Sequence, residues 1–166
     1  MATTERHPDI QDIRSAAGRL DGVSIHTPLL ESERLNERLG ARILLKCEMF
    51  QPVGAFKIRG AWNLMSRLSK AERANGAVAF SSGNHAQAVA WAGRRLGMST
   101  TIVMPKDAPP IKIANTRALG AEIRLYDRTV DDREEIAGQI VWDTGAVIVP
   151  PYDHPDIIAG QGTVGL

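Results

Sequence analysis

The amino-acid sequence predicts an α/β fold, namely a doubly wound parallel sheet with helices on both faces. From residue 76 onward, short apolar segments alternate with helical patterns of about ten to fifteen residues, which is typical of right-handed β-α-β crossovers. The apolar segments are continuous instead of alternating with polar residues, as expected for strands that helices cover on both sides. Both observations indicate a parallel sheet.

The segment before this alternation is predicted to contain helices and one strand. A first helix over 7–20 has its apolar residues on one face, and a second over 31–40 ends on the capping glycine Gly40. A strand follows over 41–48. The next helix begins at Lys57, with apolar residues at helical spacing: Ile58, Ala61, Trp62, Met65 and Leu68.

The alternating part of the chain supplies the sheet. Its predicted strands are 76–82, 99–105, 121–127 and 146–151, and its predicted helices are 84–97, 109–120 and 130–145. Residues 53–152 are therefore expected to form a small α/β domain. Residues 1–52 are expected to be the N-terminal part of a larger domain, and 153–166 the truncated start of a helix in it. A helix that stopped there would leave an apolar face uncovered, so the sequence resembles the front half of a larger protein.

Composition excludes several classes of function. The formal net charge of +1 gives no drive toward nucleic acid or an anionic membrane surface. The polar N-terminus shows no signal peptide, no apolar run could span a bilayer, and the single cysteine, Cys47, fits a reducing cytoplasm. The histidines are scattered without metal-ligand spacing, so no metal is expected. We therefore expect a cytoplasmic protein whose partner is a small molecule.

The loop of residues 81–85, SSGNH, follows a predicted strand and begins a predicted helix. Small residues in the first turns of that helix allow close packing on the sheet, so the loop presents backbone N–H groups at a helix N-terminus. Parallel α/β sheets bind ligands at this end of their strands, and a carboxylate or phosphate would suit the site. Taken alone, the loop is explained more simply by Ser82 or Asn84 capping the helix.

Lys57 raises a similar choice, between a reactive amine and a surface charge. It begins a predicted helix directly after Phe56, where the positive end of the helix dipole disfavours a protonated amine. Partial burial beside Phe56 would lower its pKa further, which suits a nucleophile or a Schiff-base lysine. Most lysines are surface charges, so this segment alone favours an exposed side chain.

The two features together indicate a pyridoxal 5′-phosphate site. An imine-forming lysine needs an electron sink, which this cofactor supplies. Phe56 would form an apolar wall for its ring, and Asn84 would be a neutral donor to its phenolic oxygen. The backbone of residues 81–85 would then bind the carboxylate of an amino acid.

Five segments resemble the threonine/serine dehydratase and serine racemase family of fold-type II pyridoxal phosphate enzymes. They are IHTPLL, KCEMFQPVGAFKIRGAWN, SSGNHAQAVAWAG, VMPKDAPPIKIANTRALGAEI and GQGTVGL, in order along the chain. The resemblance implies that Lys57 is the Schiff-base lysine, that Phe56 packs on the cofactor ring and that Asn84 binds its O3′. It also implies that the substrate carboxylate is held by Ser81, Ser82, Gly83, Asn84 and His85.

The resemblance implies elimination of water from L-threonine or L-serine to give a 2-oxo acid and ammonia, with Lys57 removing the Cα proton. Serine racemase is an alternative, because racemases that resemble this chain have serine at the position of Ser82, where it acts as a second acid/base on the opposite ring face. Many threonine dehydratases have alanine there. A 3-hydroxyaspartate dehydratase is a further alternative. A non-catalytic α/β module that binds an anion at 82–84 is the alternative from another class.

The sequence departs from the family pattern in two respects. Ala55 stands where the family usually has serine, which removes a hydroxyl group near the site. The glycine-rich loop that holds the cofactor phosphate, and the polar residue that faces the pyridine nitrogen, are not among these residues. The chain alone is therefore expected to be inactive, and the full-length enzyme is expected to be a homo-oligomer.

Overall fold

The structure is a computed structural model, and it describes residues 7–166. Residues 1–6, part of the predicted first domain and of the polar N-terminus, lie outside the described residues. No described helix is both long and apolar enough to cross a membrane. The elements in chain order are α1 (Ile10–Leu20), β1 (Leu29–Glu31), α2 (Glu33–Leu39), β2 (Leu44–Lys46), α3 (Lys57–Met65), α4 (Lys70–Asn75), β3 (Ala77–Phe80), α5 (Asn84–Leu96), β4 (Thr100–Pro105), α6 (Pro110–Ala118), β5 (Glu122–Tyr126), α7 (Arg133–Thr144), β6 (Val147–Ile148) and α8 (Pro155–Gly162).

The four strands after α4 form a parallel sheet in the order β5-β4-β3-β6. The chain runs outward from β3 through β4 to β5, and then returns to the opposite side of β3 as β6. This reversal creates a switch point between β3 and β6, and open α/β sheets bind ligands in the crevice at the carboxyl ends of such strands. The predicted doubly wound sheet is confirmed.

Alternate side chains of the strands face two apolar cores. Ala79 and Ile102 are fully buried in the core that also contains residues of α3 and α5. Val78 and Val103 are fully buried in the other core, where they meet Ala137 of α7. Since both sheet faces are covered by helices, the strands are apolar on both sides, which is why their sequences show no polar alternation.

The N-terminal region contains both confirmed and unpredicted features. Gly40 ends α2 in the left-handed conformation, with φ 60°, as the capping prediction requires. The strand predicted over 41–48 is shorter, and Cys47 is buried just after it. β1 was not predicted, and it pairs antiparallel with β2 in a separate two-stranded sheet. α4 was also not predicted.

Candidate active site

Two segments meet at the switch point of the sheet. The loop of residues 81–85 leaves β3 and enters α5, and the segment Val149–Pro151, which we call the proline segment, follows β6. The backbone N–H of Val149 donates to Val78 O at 2.8 Å. This hydrogen bond extends the pairing of β3 with β6, so both segments leave the sheet at the same edge.

Lys57 is the first residue of α3, and its side chain reaches the proline segment. Its Nζ donates to Pro151 O at 2.8 Å and lies 5.4 Å from the centroid of the Phe56 ring. Burial lowers the pKa of the Lys57 amine below its ordinary value, because removal from water disfavours the charged form. Lys57 is therefore a partly buried amine and not the exposed surface charge that its segment alone favours.

The loop of residues 81–85 enters α5 without a side-chain cap. Gly83 is the N-cap residue and makes no side-chain hydrogen bond, so the simple explanation that Ser82 or Asn84 caps the helix does not hold. Ser81 Oγ accepts a hydrogen bond from Gly83 N at 3.2 Å. The first-turn amides after Gly83 have no acceptor within the helix. The start of α5 therefore presents backbone donors and the positive end of a helix dipole.

The side chain of His85 is buried and contacts the backbone of the proline segment. The residue is 3% exposed, and its Nε2 lies 2.9 Å from Val149 O. Because a carbonyl oxygen only accepts, Nε2 carries the proton, and we assign this tautomer from the hydrogen bond. Burial lowers the pKa of His85 to about 4; the hydrogen bond to Val149 raises it and the charge of Lys57 lowers it. The imidazole is therefore neutral at pH 7, and only the backbone N–H of His85 is left to bind a carboxylate.

A buried ion pair holds the first turn of α3. Arg59 donates from Nε to Glu48 Oε2 at 2.8 Å and from Nη2 to Glu48 Oε1 at 2.9 Å, and the two side chains are 7% and 12% exposed. Burial raises the pKa of Glu48, but the hydrogen bonds from Arg59, Thr27 and Gln51 together lower it by a larger amount. The net pKa of Glu48 therefore lies below its ordinary value. The turn that carries Lys57 is thus joined to the segment that precedes it.

α8 holds the same turn from the other side. A Cβ on Gly160 would lie 2.6 Å from Arg59 O and 2.7 Å from Gly60 Cα, so the two helices touch backbone to backbone. Gln161 Oε1 accepts from Gly60 N at 3.3 Å, and Thr163 Oγ1 accepts from Arg59 Nη1 at 3.2 Å. The position of Lys57 is therefore set by contacts on both sides of α3.

The structure brings some of the predicted site residues together and leaves others apart. Lys57 and His85 both bind the proline segment, and Phe56 lies beside the Lys57 amine. No hydrogen bond within residues 7–166 joins Ser82 or Asn84 to Lys57. The roles of these two residues toward a cofactor or substrate stay predictions.

Sequence reasoning missed two features of this region. The carbonyl groups of the proline segment were not predicted, because every residue has a carbonyl and none is marked in a sequence. Arg133 was not singled out, because it lies in the charged run 131–135, a pattern typical of a solvated helix face. Its neighbours in that run are exposed. The guanidinium of Arg133 instead lies 5.2 Å from the centroid of the ring of Phe80, the residue before Ser81.

The donor set of this site fits the cofactor that the sequence implies. An amine with a lowered pKa can form an imine, and Lys57 offers one next to the ring of Phe56, which is 40% exposed. Asn84 is an exposed amide at the start of α5. The uncapped N–H groups beside it suit an anion. Within the described residues, these groups place an amine and the first-turn N–H groups of α5 at one edge of the sheet.

Fold and site together define an α/β domain with a partly buried lysine amine at the switch point of a parallel sheet. Residues 21–166 match the family described as "Pyridoxal-phosphate dependent enzyme", and the chain belongs to that family. The predicted dependence on pyridoxal phosphate and the predicted fold type are confirmed.

The relatives of the chain are ammonia-lyases and racemases. It is 51% identical over 156 residues to the L-threo-3-hydroxyaspartate ammonia-lyase of Saccharomyces cerevisiae, covering 94% of this chain and 48% of that protein. It is 47% identical over 156 residues to the serine racemase of Schizosaccharomyces pombe, covering 94% and 48%. The structure of maize serine racemase superposes with a TM-score of 0.92 at 38% identity, covering 96% of this chain and 48% of that one. The chain thus spans about half the length of these relatives.

Proposed function

We propose that the full-length protein is a pyridoxal phosphate-dependent ammonia-lyase that eliminates water from a small 3-hydroxy amino acid to give a 2-oxo acid and ammonia. The observation that carries the proposal is the common attachment of the Lys57 amine and the start of α5 to the proline segment. An amino acid presents an amine and a carboxylate on the same carbon. A reactive amine beside an anion site is the arrangement that such a substrate requires.

Each residue has a role that follows from its chemistry. Lys57 holds the cofactor through its amine and, once displaced by the substrate amine, accepts the Cα proton in its neutral form, which burial of the side chain favours. The bound cofactor supplies the electron sink for the carbon acid. Phe56 contacts the ring, Asn84 donates to its phenolic oxygen, and the backbone of residues 81–85 binds the substrate carboxylate.

Replacement of Lys57 tests this proposal. In Lys57→Ala the full-length protein should lose 2-oxo acid formation from L-threonine, L-serine and L-threo-3-hydroxyaspartate, while its thermal unfolding midpoint stays close to that of the wild type. Borohydride reduction of the loaded wild type, followed by peptide mapping, should place the cofactor label on Lys57. A label on another lysine, or no label at all, would overturn the assignment.

Arg133 favours a substrate that carries a second carboxylate. Its guanidinium lies over Phe80, next to the loop proposed to bind the α-carboxylate, and its side chain is 42% exposed. Its ion-pair contact with Glu134 is long, at 3.8 Å, and leaves most of its donors available. Arginine binds carboxylates through paired N–H groups. We therefore propose 3-hydroxyaspartate ahead of threonine and serine, in agreement with the names of the relatives above.

The pair Arg133→Met and Arg128→Met tests this preference. Arg128 is a matched control, because its Nε is bound to Asp107 at 2.9 Å on the surface. Arg133→Met should raise KM for L-threo-3-hydroxyaspartate by about ten- to a hundredfold, the value of a charged hydrogen bond. It should change KM for L-serine far less, and Arg128→Met should change neither. Equal effects on both substrates would refute a role for Arg133 in specificity.

Racemisation of serine is the second candidate activity, and Ser82 is the residue on which it depends. Ser82 is half-buried in the loop at the switch point. Its hydroxyl makes no hydrogen bond within the described part of the chain, so it is available to a ligand.

We also propose that residues 53–152 act as a small domain, and that the full-length protein is a homo-oligomer. A cytoplasmic location stays a prediction.

A further inference from the structure

The proline segment offers only acceptors to its surroundings. Pro150 and Pro151 have no backbone N–H, and their rings fix φ. Val149 is fully buried and its N–H is used by Val78 O. The segment is therefore a short, stiff stretch of backbone, attached to the sheet at one end, whose carbonyl groups face the candidate site.

Two side chains from different helices bind this segment two residues apart. His85, the second residue of α5, binds Val149 O at 2.9 Å, and Lys57, the first residue of α3, binds Pro151 O at 2.8 Å. Apolar packing between α3 and α5 sets the approximate positions of the helices. The two hydrogen bonds then fix their first turns relative to one piece of backbone, at the precision that a site needs.

The burial of His85 agrees with a fixed hydrogen bond and not with proton transfer. Its Nδ1 is buried and has no hydrogen-bond partner within the described residues. A proton on Nδ1 would leave a buried donor unpaired, at a cost of about 1–3 kcal/mol. The ring therefore stays neutral with its proton on Nε2, as a permanent donor to Val149.

We propose that His85 is a positioning residue whose imidazole fastens the start of α5 to the proline segment, and so sets the separation between the Lys57 amine and the backbone N–H groups of the loop. The inference rests on the proposed function, because it assigns the amine and the N–H groups to one ligand. A ligand that uses both anchors depends on their separation. A ligand that uses one anchor does not.

Two variants of His85 separate the hydrogen bond from the ring. Glutamine places its amide nitrogen near the position of Nε2, whereas the amide of asparagine reaches only as far as Nδ1. His85→Gln should therefore keep the bond to Val149 O, and His85→Asn should lose it. His154→Asn is a matched control, because His154 caps α8 by accepting from Asp156 N at 3.1 Å, and asparagine is also a good N-cap.

The test uses full-length protein loaded with pyridoxal phosphate and three probes that cannot undergo elimination. Glycine has both an amine and a carboxylate, methylamine has the amine alone, and acetate has the carboxylate alone. Binding of the two amines is followed by the change in cofactor absorbance, and binding of acetate by competition with glycine. No turnover is required, so the readout is independent of the substrate that the enzyme prefers.

His85→Asn should weaken glycine binding by about tenfold, the value of one lost hydrogen bond, with changes of less than about threefold for methylamine and acetate. His85→Gln and His154→Asn should stay within about threefold of the wild type for all three probes. Equal weakening of all probes in His85→Asn, or no weakening of glycine, would overturn the role of His85. If neither amine changes the absorbance of the wild type, the proposed function itself fails, which is a distinct result.

Discussion

Replacement of Arg59 by methionine tests the buried ion pair next to Lys57. Arg59 and Glu48 are 7% and 12% exposed, and two N–H groups of Arg59 bind the two oxygens of Glu48. Methionine is unbranched and adaptable, so it fills much of the space of the arginine stem without the charge. The variant therefore removes the donors with little change in packing.

The loss of stability in Arg59→Met depends on the hydrogen bonds that Glu48 retains. In Arg59→Met its carboxylate keeps two neutral donors, Thr27 Oγ1 at 2.7 Å and Gln51 Nε2 at 3.3 Å. Removing one partner of a buried pair costs about 3–5 kcal/mol, because the other charge stays buried. The remaining donors compensate in part, so we expect a loss of about 3 kcal/mol in the free energy of unfolding. Adding Glu48→Gln removes the stranded charge, and the double variant should recover a large part of this loss.

Arg59→Met should also reverse the pH dependence of the contribution that Glu48 makes to the free energy of unfolding. In the wild type the net pKa of Glu48 is lowered, so its stabilisation is present above the unfolded pKa of about 4.3 and is lost as pH falls through the folded pKa. Without Arg59, burial dominates and raises the pKa of Glu48 above its unfolded value. Such a group gains stability as pH falls through the raised pKa. The difference between wild type and Arg59→Met should therefore shrink from pH 7 to pH 5.

Urea unfolding at both pH values measures these differences in the full-length protein. Trp62 of α3, which lies 6.0 Å from Trp91 between ring centroids, reports on the relevant helix by fluorescence. Arg42→Met is the matched control, because the ion pair of Arg42 with Glu31 is exposed and its loss should barely change stability. A loss in Arg59→Met no larger than in Arg42→Met would refute the reasoning, and so would an equal loss at pH 7 and pH 5.

Two further predictions concern Ser82 and Gly160. Racemisation needs a proton donor on the ring face opposite Lys57. Ser82→Ala should therefore suppress D-serine formation by about a hundredfold or more and change dehydration far less, which a chiral assay of both products would measure. D-serine formation that survives the change would refute this role of Ser82. A Cβ on Gly160 would lie 2.6 Å from the backbone of α3, so Gly160→Ala should lower the thermal unfolding midpoint. Gly165→Ala is the control and should leave the midpoint unchanged, because a Cβ there has nothing within 4 Å. Equal midpoints for the two variants would contradict the contact between α8 and α3.

The parallel sheet could be predicted because each of its elements has a local signal. β3 lies within the predicted strand 76–82 and β4 within 99–105, since both are continuous apolar runs between helical patterns. β1 has three residues and gives no periodicity to detect. α4 did have a signal, because Ser69 and Glu72 form a capping box, with Ser69 N donating to Glu72 Oε2 at 2.7 Å.

The candidate site was predictable only where side chains carry the chemistry. Lys57 and the loop of residues 81–85 stand out because an amine and small polar residues begin two helices. The inward turn of His85 could not be predicted, because it depends on a carbonyl sixty-four residues away along the chain. The same holds for Lys57 and Pro151, which are brought together by the crossover from β5 to β6. Backbone acceptors become visible only once the strand order is known.

Within residues 7–166, Lys57 forms no ion pair with a carboxylate. A carboxylate beside a buried lysine would favour the charged form and raise its pKa. Glu48, on the segment that precedes α3, is instead bound in full by Arg59, Thr27 and Gln51. The Lys57 amine is left with the neutral carbonyl of Pro151, and its pKa is lowered by burial. The lowering of the Lys57 pKa by burial is therefore not offset by an ion pair within the described residues, which favours the role proposed for this amine.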